Sequence, residues 1–301
     1  MPRYERRDYQ GPSDLRAMQE VTRRLWTRCK RWHIGDLAWR RFERLGREPD
    51  WRTALWERDG RPVAWAWATV SGSLDLHVDP GDVELAEEII DWYGEGGGGT
   101  VTLLDSEKEL AELLQSRGYQ ERADGPYFIH LSLDLAGLPA PRVPEGYTLR
   151  AVRDERDAAA RAAVHAAAFA PSRVTPSRVT PSRVTADSYL QVMRAWPYRT
   201  ELDWLVETTE GEPVAFCLVW LDEESGVAVL EPVGTDPAHR RRGLATAAIL
   251  GALHEARRLG ARTARVCARG DDDYPSARAT YQAMGFRPYA RNVTFVPGGL
   301  R

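Results

Sequence analysis

Apolar positions along this chain switch between helical spacing and strand-like alternation, and the switches come twice in the same order. In the first pass, Leu15, Met18, Val21, Leu25 and Trp26 recur every three or four residues and predict a helix over 13–31, with Ser13 or Asp14 as its N-cap. A short helix follows over 36–45, carrying Leu37, Trp39 and Phe42. Strands are predicted at 51–56 and 63–70, joined by the turn dipeptide Asp59-Gly60, and at 73–78. A helix at 83–93, a glycine-rich loop at 94–99, a strand at 101–104, a helix at 107–117 ended by Gly118, and a strand at 127–133 complete the pass.

Pro139, Pro141 and Pro144 mark 138–146 as a linker, after which the order begins again. The second pass predicts a strand at 147–152, helices at 155–169 and 186–196, and strands at 204–207, 214–220 and 227–235. A helix over 240–259, a strand at 263–268, a helix at 275–284 and a strand at 291–296 close it. Two passes through one order predict a tandem duplication, with domains at 1–137 and 147–301. Three copies of Pro-Ser-Arg-Val-Thr begin at Pro171, Pro176 and Pro181, between the first two helices of that half, and read as a solvated loop or, as the alternative, a segment of which one copy touches substrate.

Composition changes this picture little. The 301 residues are 43% hydrophobic and 28% charged, as in a soluble globular protein, and a net charge of −3 argues against nonspecific nucleic-acid binding. Cys29, Cys217 and Cys267 are far apart without metal-ligand spacing, which suits a reducing cytoplasm and predicts no metal site. The first residues lack the apolar core of a signal peptide, and no apolar run is long enough for a membrane span. A soluble cytoplasmic protein, monomer or homodimer, is the expectation.

Chemistry concentrates in residues 231–259. A strand-like run ends at Thr235, the chain turns at Gly234 and Pro237, passes Arg240-Arg241-Arg242-Gly243, and becomes helical. Leu244, Ala248, Ala252, Leu253, Ala256 and Leu259 form one face of that helix. The first amides of a helix lack intrahelical partners, and its dipole adds positive charge there, so a strand, a glycine loop and clustered arginines point to a phosphate-bearing ligand. The alternative is an ordinary strand-to-helix turn with solvated arginines.

Arg240-x-x-Gly243-x-Ala245 resembles the R/Q-x-x-G-x-G/A signature of the GNAT superfamily of N-acetyltransferases, whose loop cradles the pyrophosphate of acetyl-coenzyme A. Ala277-x-x-x-Tyr281-x-x-x-Gly285-Phe286 resembles that family's second segment. The resemblance implies an α/β (layered α+β) fold of two tandem GNAT-like domains, each a mixed, mostly antiparallel sheet flanked by helices. It implies acetyl-coenzyme A as donor, an amine of a small molecule or peptide as acceptor, and direct attack. Carried over residue by residue, Val233, Gly234 and Thr235 contact pantetheine where the strand bulges. Arg241, Arg242, Gly243, Leu244, Ala245 and Thr246 contact pyrophosphate, while Arg240 pairs with phosphate or braces the loop. Tyr281 is the proton donor to the departing thiolate, or else a core tyrosine. Where the family often has Asn, three positions before Ala277, this chain has Tyr274.

Glu231 is the candidate general base, sharing a strand face with Val229 and Val233 by period two; the alternative is a carboxylate that only binds the cation. His165 lies on the first helix of this half as a lesser candidate at the acceptor cleft; His239 is expected to cap the loop, and His254 sits away from it. Two acidic runs, 222–224 and 271–273, are solvated turns or, if they flank the pocket, attractors of a cationic acceptor. The first half has the outline without the chemistry: Gly81-Asp82-Val83-Glu84-Leu85-Ala86 replaces the phosphate loop, and Leu114 stands four residues before Gly118 where the family has tyrosine. It is expected to shape the acceptor pocket without using the donor. The tandem layout is similar to that of the mycothiol synthase enzymes, and the rival function is a noncatalytic acyl-coenzyme A sensor.

Overall fold

The doubled order of elements forms one 13-stranded mixed sheet running through both halves, seen in a computed structural model that describes residues 3–26, 31–170 and 182–298. Cys29 and positions 171–181 of the Pro-Ser-Arg-Val-Thr repeats lie outside the described residues. The first half comprises β1 (Glu5–Asp8), α1 (Pro12–Arg24), α2 (Ile34–Phe42), β2 (Trp51–Arg58), β3 (Arg61–Thr69), β4 (Ser73–His77), α3 (Val83–Glu95), β5 (Thr100–Leu104), α4 (Lys108–Ser116), β6 (Tyr119–Glu121) and β7 (Phe128–Asp134). The second comprises β8 (Tyr147–Ala151), α5 (Ala158–Ala168), α6 (Ala186–Arg194), β9 (Asp203–Thr208), β10 (Pro213–Asp222), β11 (Val227–Thr235), α7 (Leu244–Arg258), β12 (Thr263–Arg269), α8 (Ser276–Ala283) and β13 (Arg287–Pro297).

Three local expectations are corrected. Neither Ser13 nor Asp14 is the N-cap of α1: Pro12 occupies the first turn, where its missing N–H costs nothing, Gly11 precedes it, and Asp14 accepts from the Gln10 amide. The helix α7 begins at Leu244 rather than at residue 240, because Arg241 and Gly243 both have positive φ and hold the preceding loop out of the helix. The irregularity on β11 falls at Glu231-Pro232, two residues facing Leu218 alone, and not at Gly234–Thr235, which pair regularly with Phe216 and Ala215.

The strand order is β1-β2-β3-β4-β5-β13-β7-β12-β11-β10-β9-β8. The last strands of the two halves are therefore exchanged: β7 pairs with β12 of the second half, and β13 pairs with β7 and with β5 of the first. One apolar core packs α7 against β9, β10 and β11, burying Leu244, Ala248, Ala252, Leu253 and Ala256, while a second core fills the first half. Gly251 is tightly opposed to Trp204, which a Cβ would approach to 2.6 Å, so α7 lies close on the sheet.

Beneath α5 and α6 lies a fully buried ion pair. Arg161 Nε donates to Asp203 at 2.8 Å, and Tyr189 and Tyr198 give their hydroxyl protons to the same carboxylate. Such a pair holds its elements because removing one member strands a buried charge. Across the halves, α2 packs on β10 so closely that a Cβ on Gly35 would stand 2.2 Å from Trp220. Gln19 donates to the Trp196 carbonyl, and Arg16 stacks on the Trp196 ring.

Candidate active site

Strands β11 and β12 run parallel and pair only from Val227 to Val229, after which they part. The opening lies at the carboxyl end of β11, where parallel sheets offer free backbone to ligands. From Thr235 the chain turns through Arg241 and Gly243 into α7, whose Leu244, Ala245 and Thr246 N–H groups meet no acceptor among the described residues. Nothing lies within 4 Å of where a Gly243 Cβ would be, and Gly243, Leu244, Ala245 and Thr246 line open space. A cavity of about 410 Å³ extends from this point, lined by Val233, Gly234 and Thr235 on one side and Tyr274, Ala277 and Tyr281 on the other. Unpartnered amides, positive φ at the loop and a groove along a strand's free edge suit a pyrophosphate carrying an extended arm.

The other loop residues divide by task. Arg240 donates to the carbonyls of Thr235 and Ala168, so it braces the loop against β11 and the end of α5 while lining the groove. Arg241, Gly243, Leu244, Ala245 and Thr246 also line it, but Arg242 is exposed outside it. His239 is engaged with the Tyr147 hydroxyl, and His254 pins the linker through the Pro139 carbonyl. Gly234 has no room for a side chain: a Cβ would meet Phe216 at 2.6 Å and Ala168 at 2.8 Å, which keeps α5 against the groove wall.

Tyr281 is carried by α8 into the groove, edge-on to Phe286, with no hydrogen bond to its hydroxyl among the described residues. Burial holds its pKa well above the ordinary phenol value, so the proton stays on oxygen at neutral pH.

The bulge in β11 sends Glu231 elsewhere. Because two residues occupy one register step, Val233 faces the groove while Glu231 lines three adjoining clefts. Its backbone carbonyl is fixed by Trp220 Nε1 at 2.7 Å. The largest cleft, about 350 Å³, is lined by Glu231, Asp36, Trp39, Glu43, His130 and Cys267 among others. A second, about 150 Å³, contains Glu231, Trp39, Glu43, His165 and Phe169, and Phe169 also lines the groove. Burial, with Asp36 and Glu43 nearby, pushes the Glu231 carboxyl up to about 8. Burial lowers His165 to about 3, so its imidazole is neutral; Nδ1 meets the Ser182 hydroxyl at 2.7 Å.

With this geometry in place, residues 175–286 match the family model described as the acetyltransferase (GNAT) family. The match lies wholly within the second half. Over its whole length the chain is similar to a GCN5-related N-acetyltransferase from Sphaerobacter thermophilus, at 21% identity and a TM-score of 0.59, covering 98% of this chain and 96% of that one. It is similar to a tandem GNAT protein from the clavulanic acid biosynthesis pathway at 17% identity and a TM-score of 0.60, covering 97% and 98%. A GNAT-family acetyltransferase from Colwellia psychrerythraea gives 12% identity and a TM-score of 0.60, covering 97% and 99%. No curated protein sequence matches significantly. The likenesses establish the tandem GNAT fold. No helix of the described residues is long and apolar enough to cross a membrane.

Several residues around these clefts escape sequence reasoning. Asp36, Trp39 and Glu43 belong to α2 of the first half, and His130 to the exchanged strand β7. Trp39 reads as one apolar position of a short helix, but nothing local says that it packs against His165 and Tyr189 of the second half. The acidic runs are engaged elsewhere: Glu223 pairs with Arg199, Glu224 with Arg23, Asp271 with Arg269 and Asp272 with Arg278. None of the six acids lines the groove or the clefts around Glu231.

Proposed function

We propose that the chain is an N-acetyltransferase with one donor site, in the second half, and an acceptor cleft closed by the first. The observation that carries this reading is the groove at the start of α7, with three unpartnered amides at its end and Tyr281 on its wall; Phe169 borders both this groove and the cleft holding Glu231. Acetyl-coenzyme A, held with its pyrophosphate on the amides of Leu244, Ala245 and Thr246, supplies an acetyl group activated as a thioester. Val233, Gly234 and Thr235 offer backbone groups to the extended arm and orient the carbonyl. Arg240 keeps the loop in place, and Arg241 adds positive charge at its mouth. Arg242 serves from outside the groove as a general attraction for the phosphates.

Glu231 accepts the proton of the incoming ammonium, directly or through water, so that the amine lone pair is free to attack. Its raised pKa suits this task, since a base near neutrality removes a proton most effectively. Tyr281 returns a proton to the thiolate that leaves as the carbon–sulfur bond breaks. An ordinary phenol is close to a thiolate in basicity, and burial keeps the proton on Tyr281 until the thiolate forms beside it.

An acetylation screen over small amines and peptides, following release of the free thiol, tests the reading. Transfer that falls in both Tyr281→Phe and Glu231→Gln is the expected result. Acetyl-coenzyme A binding without transfer to any amine would leave the sensor reading instead.

A further inference from the structure

The 350 Å³ cleft that Glu231 enters is built across the halves, and most of its charges have partners. Arg44 stands 3.6 Å from Glu43, and the charge of Arg265 acts on Asp36. Asp75 of β4 takes hydrogen bonds from both Arg31 and Arg40, so one carboxylate answers two guanidinium groups. Both arginines line the cleft, and Asp75 does not. What is left over on the wall is one negative group, Glu231, and one positive charge shared by Arg31 and Arg40.

A second observation falls on the same wall. The Arg31 side chain is 7% exposed, its Nη2 holds Asp75, and its Nη1 is buried with no hydrogen-bond partner among the described residues. The neighbouring Trp32, over whose ring Arg31 and Arg40 lie, buries Nε1 in the same unpartnered state and also lines the cleft. Buried donors without an acceptor destabilise a fold, the more so when they are charged. A third donor is oriented beside them. Burial, with Arg31 and Arg265 nearby, lowers His130 to about 4, so its ring is neutral. Its Nε2 meets Asn292 Oδ1 at 2.6 Å and donates to it, which leaves the Asn292 amide nitrogen, on the cleft wall, without a partner among the described residues. Excess positive charge and unanswered N–H donors in one place call for an anionic oxygen ligand, and a carboxylate offers two oxygens in one plane.

Resting on the N-acetyltransferase proposed above, we infer that the acceptor is an amino acid, whose carboxylate is held by Arg31, Trp32 and Asn292 in the cleft that Glu231 enters. Its ammonium faces Glu231, so the two charges left over on the wall meet the two charges of one zwitterion. Arg31, Trp32 and Asn292 are specificity residues that grip the end of the acceptor that does not react. Arg40 keeps Asp75 paired and the framework in place.

The test measures transfer to glycine, β-alanine and 4-aminobutyrate against ethylamine, n-propylamine and n-butylamine, which match them in chain length, at saturating acetyl-coenzyme A in the full chain. The inference expects at least one amino acid to exceed its alkylamine in kcat/KM by about tenfold or more, mainly through KM. In Arg31→Gln that ratio should fall about tenfold while alkylamine transfer is kept, with Arg31→Lys restoring part of the preference. Trp32→Phe, which removes an N–H and keeps an aromatic ring, should lower the ratio about threefold and serves should the Arg31 variants fold poorly. Alkylamines used as well as every amino acid by wild type, or a ratio unchanged in both Arg31→Gln and Trp32→Phe, overturns the inference alone. Binding of acetyl-coenzyme A with transfer to none of these amines overturns the acetyltransferase reading and the inference together.

Discussion

At the start of α3, in the first half, carboxylates occupy the turn: Asp79 takes the N–H of Gly81 ahead of the helix, and the cap Asp82 takes that of Leu85. Tyr4 and Arg58 then bind the Asp82 carboxylate and cover the turn. At the corresponding start of α7, in the second half, the cap is Gly243, and three amides are left facing a cavity. The next landmark differs in the same sense. Leu114 is buried in the apolar core of the first half, whereas Tyr281 brings a hydroxyl to the groove of the second. The contrast shows how a duplicated fold gives up a ligand: a helix start capped by its own carboxylate gains stability and loses an anion site. What the first half retains is position, since α2 supplies a wall of the cleft that Glu231 enters.

Ways to break this comparison can be ranked by size of effect. Asp203→Ala should cost about 3–5 kcal/mol in urea unfolding, because Arg161 would be left buried without its partner. Since the halves share one sheet through exchanged strands, both should unfold in a single transition; two separate transitions would show that the exchange does not couple them. Tyr281→Phe should lower kcat by about 100-fold, near 3 kcal/mol, with acetyl-coenzyme A affinity kept. Its counterpart Leu114→Tyr should confer no activity on the first half.

Glu231→Gln has two signs. The folded-state pKa near 8 lies above the ordinary value of 4.5, so the carboxyl's contribution to stability is full below about pH 4.5 and lost as pH rises through about 8. The amide should therefore stabilise the chain by about 1–3 kcal/mol at pH 9 and little at pH 4. Activity runs the other way: wild-type kcat/KM should climb as pH passes about 8, and the variant should lose that rise. The smallest effect belongs to the first half, where Asp82→Ala should cost about 1 kcal/mol of thermal stability and leave catalysis intact.

Much of this was legible in the residues. The element order and the buried face of α7 follow from periodicity, and the loop from Arg240 to Thr246 with Tyr281 marks the groove. What periodicity does not carry is the partner. The strand β1 reads Glu-Arg-Arg-Asp, without an apolar signal, and exists because β2 offers it a free edge. Nothing inside β7 or β13 says that they exchange places, because a strand's alternation specifies its faces and not its neighbours. The bulge at Glu231-Pro232 breaks the period that would put Glu231 beside Val233, and it is visible only once β10 is laid alongside. Asp36 and Glu43 look like ordinary polar positions of a short helix until β11 is packed against them.

Calorimetric titration of acetyl-coenzyme A into the intact chain, Gly243→Asp and Asp82→Gly tests the account most directly. The account predicts one molecule bound per chain, binding weakened about 100-fold or more in Gly243→Asp, where a carboxylate would stand at the open amides, and unchanged binding in Asp82→Gly. Two molecules per chain, or equal binding by wild type and Gly243→Asp, would contradict it.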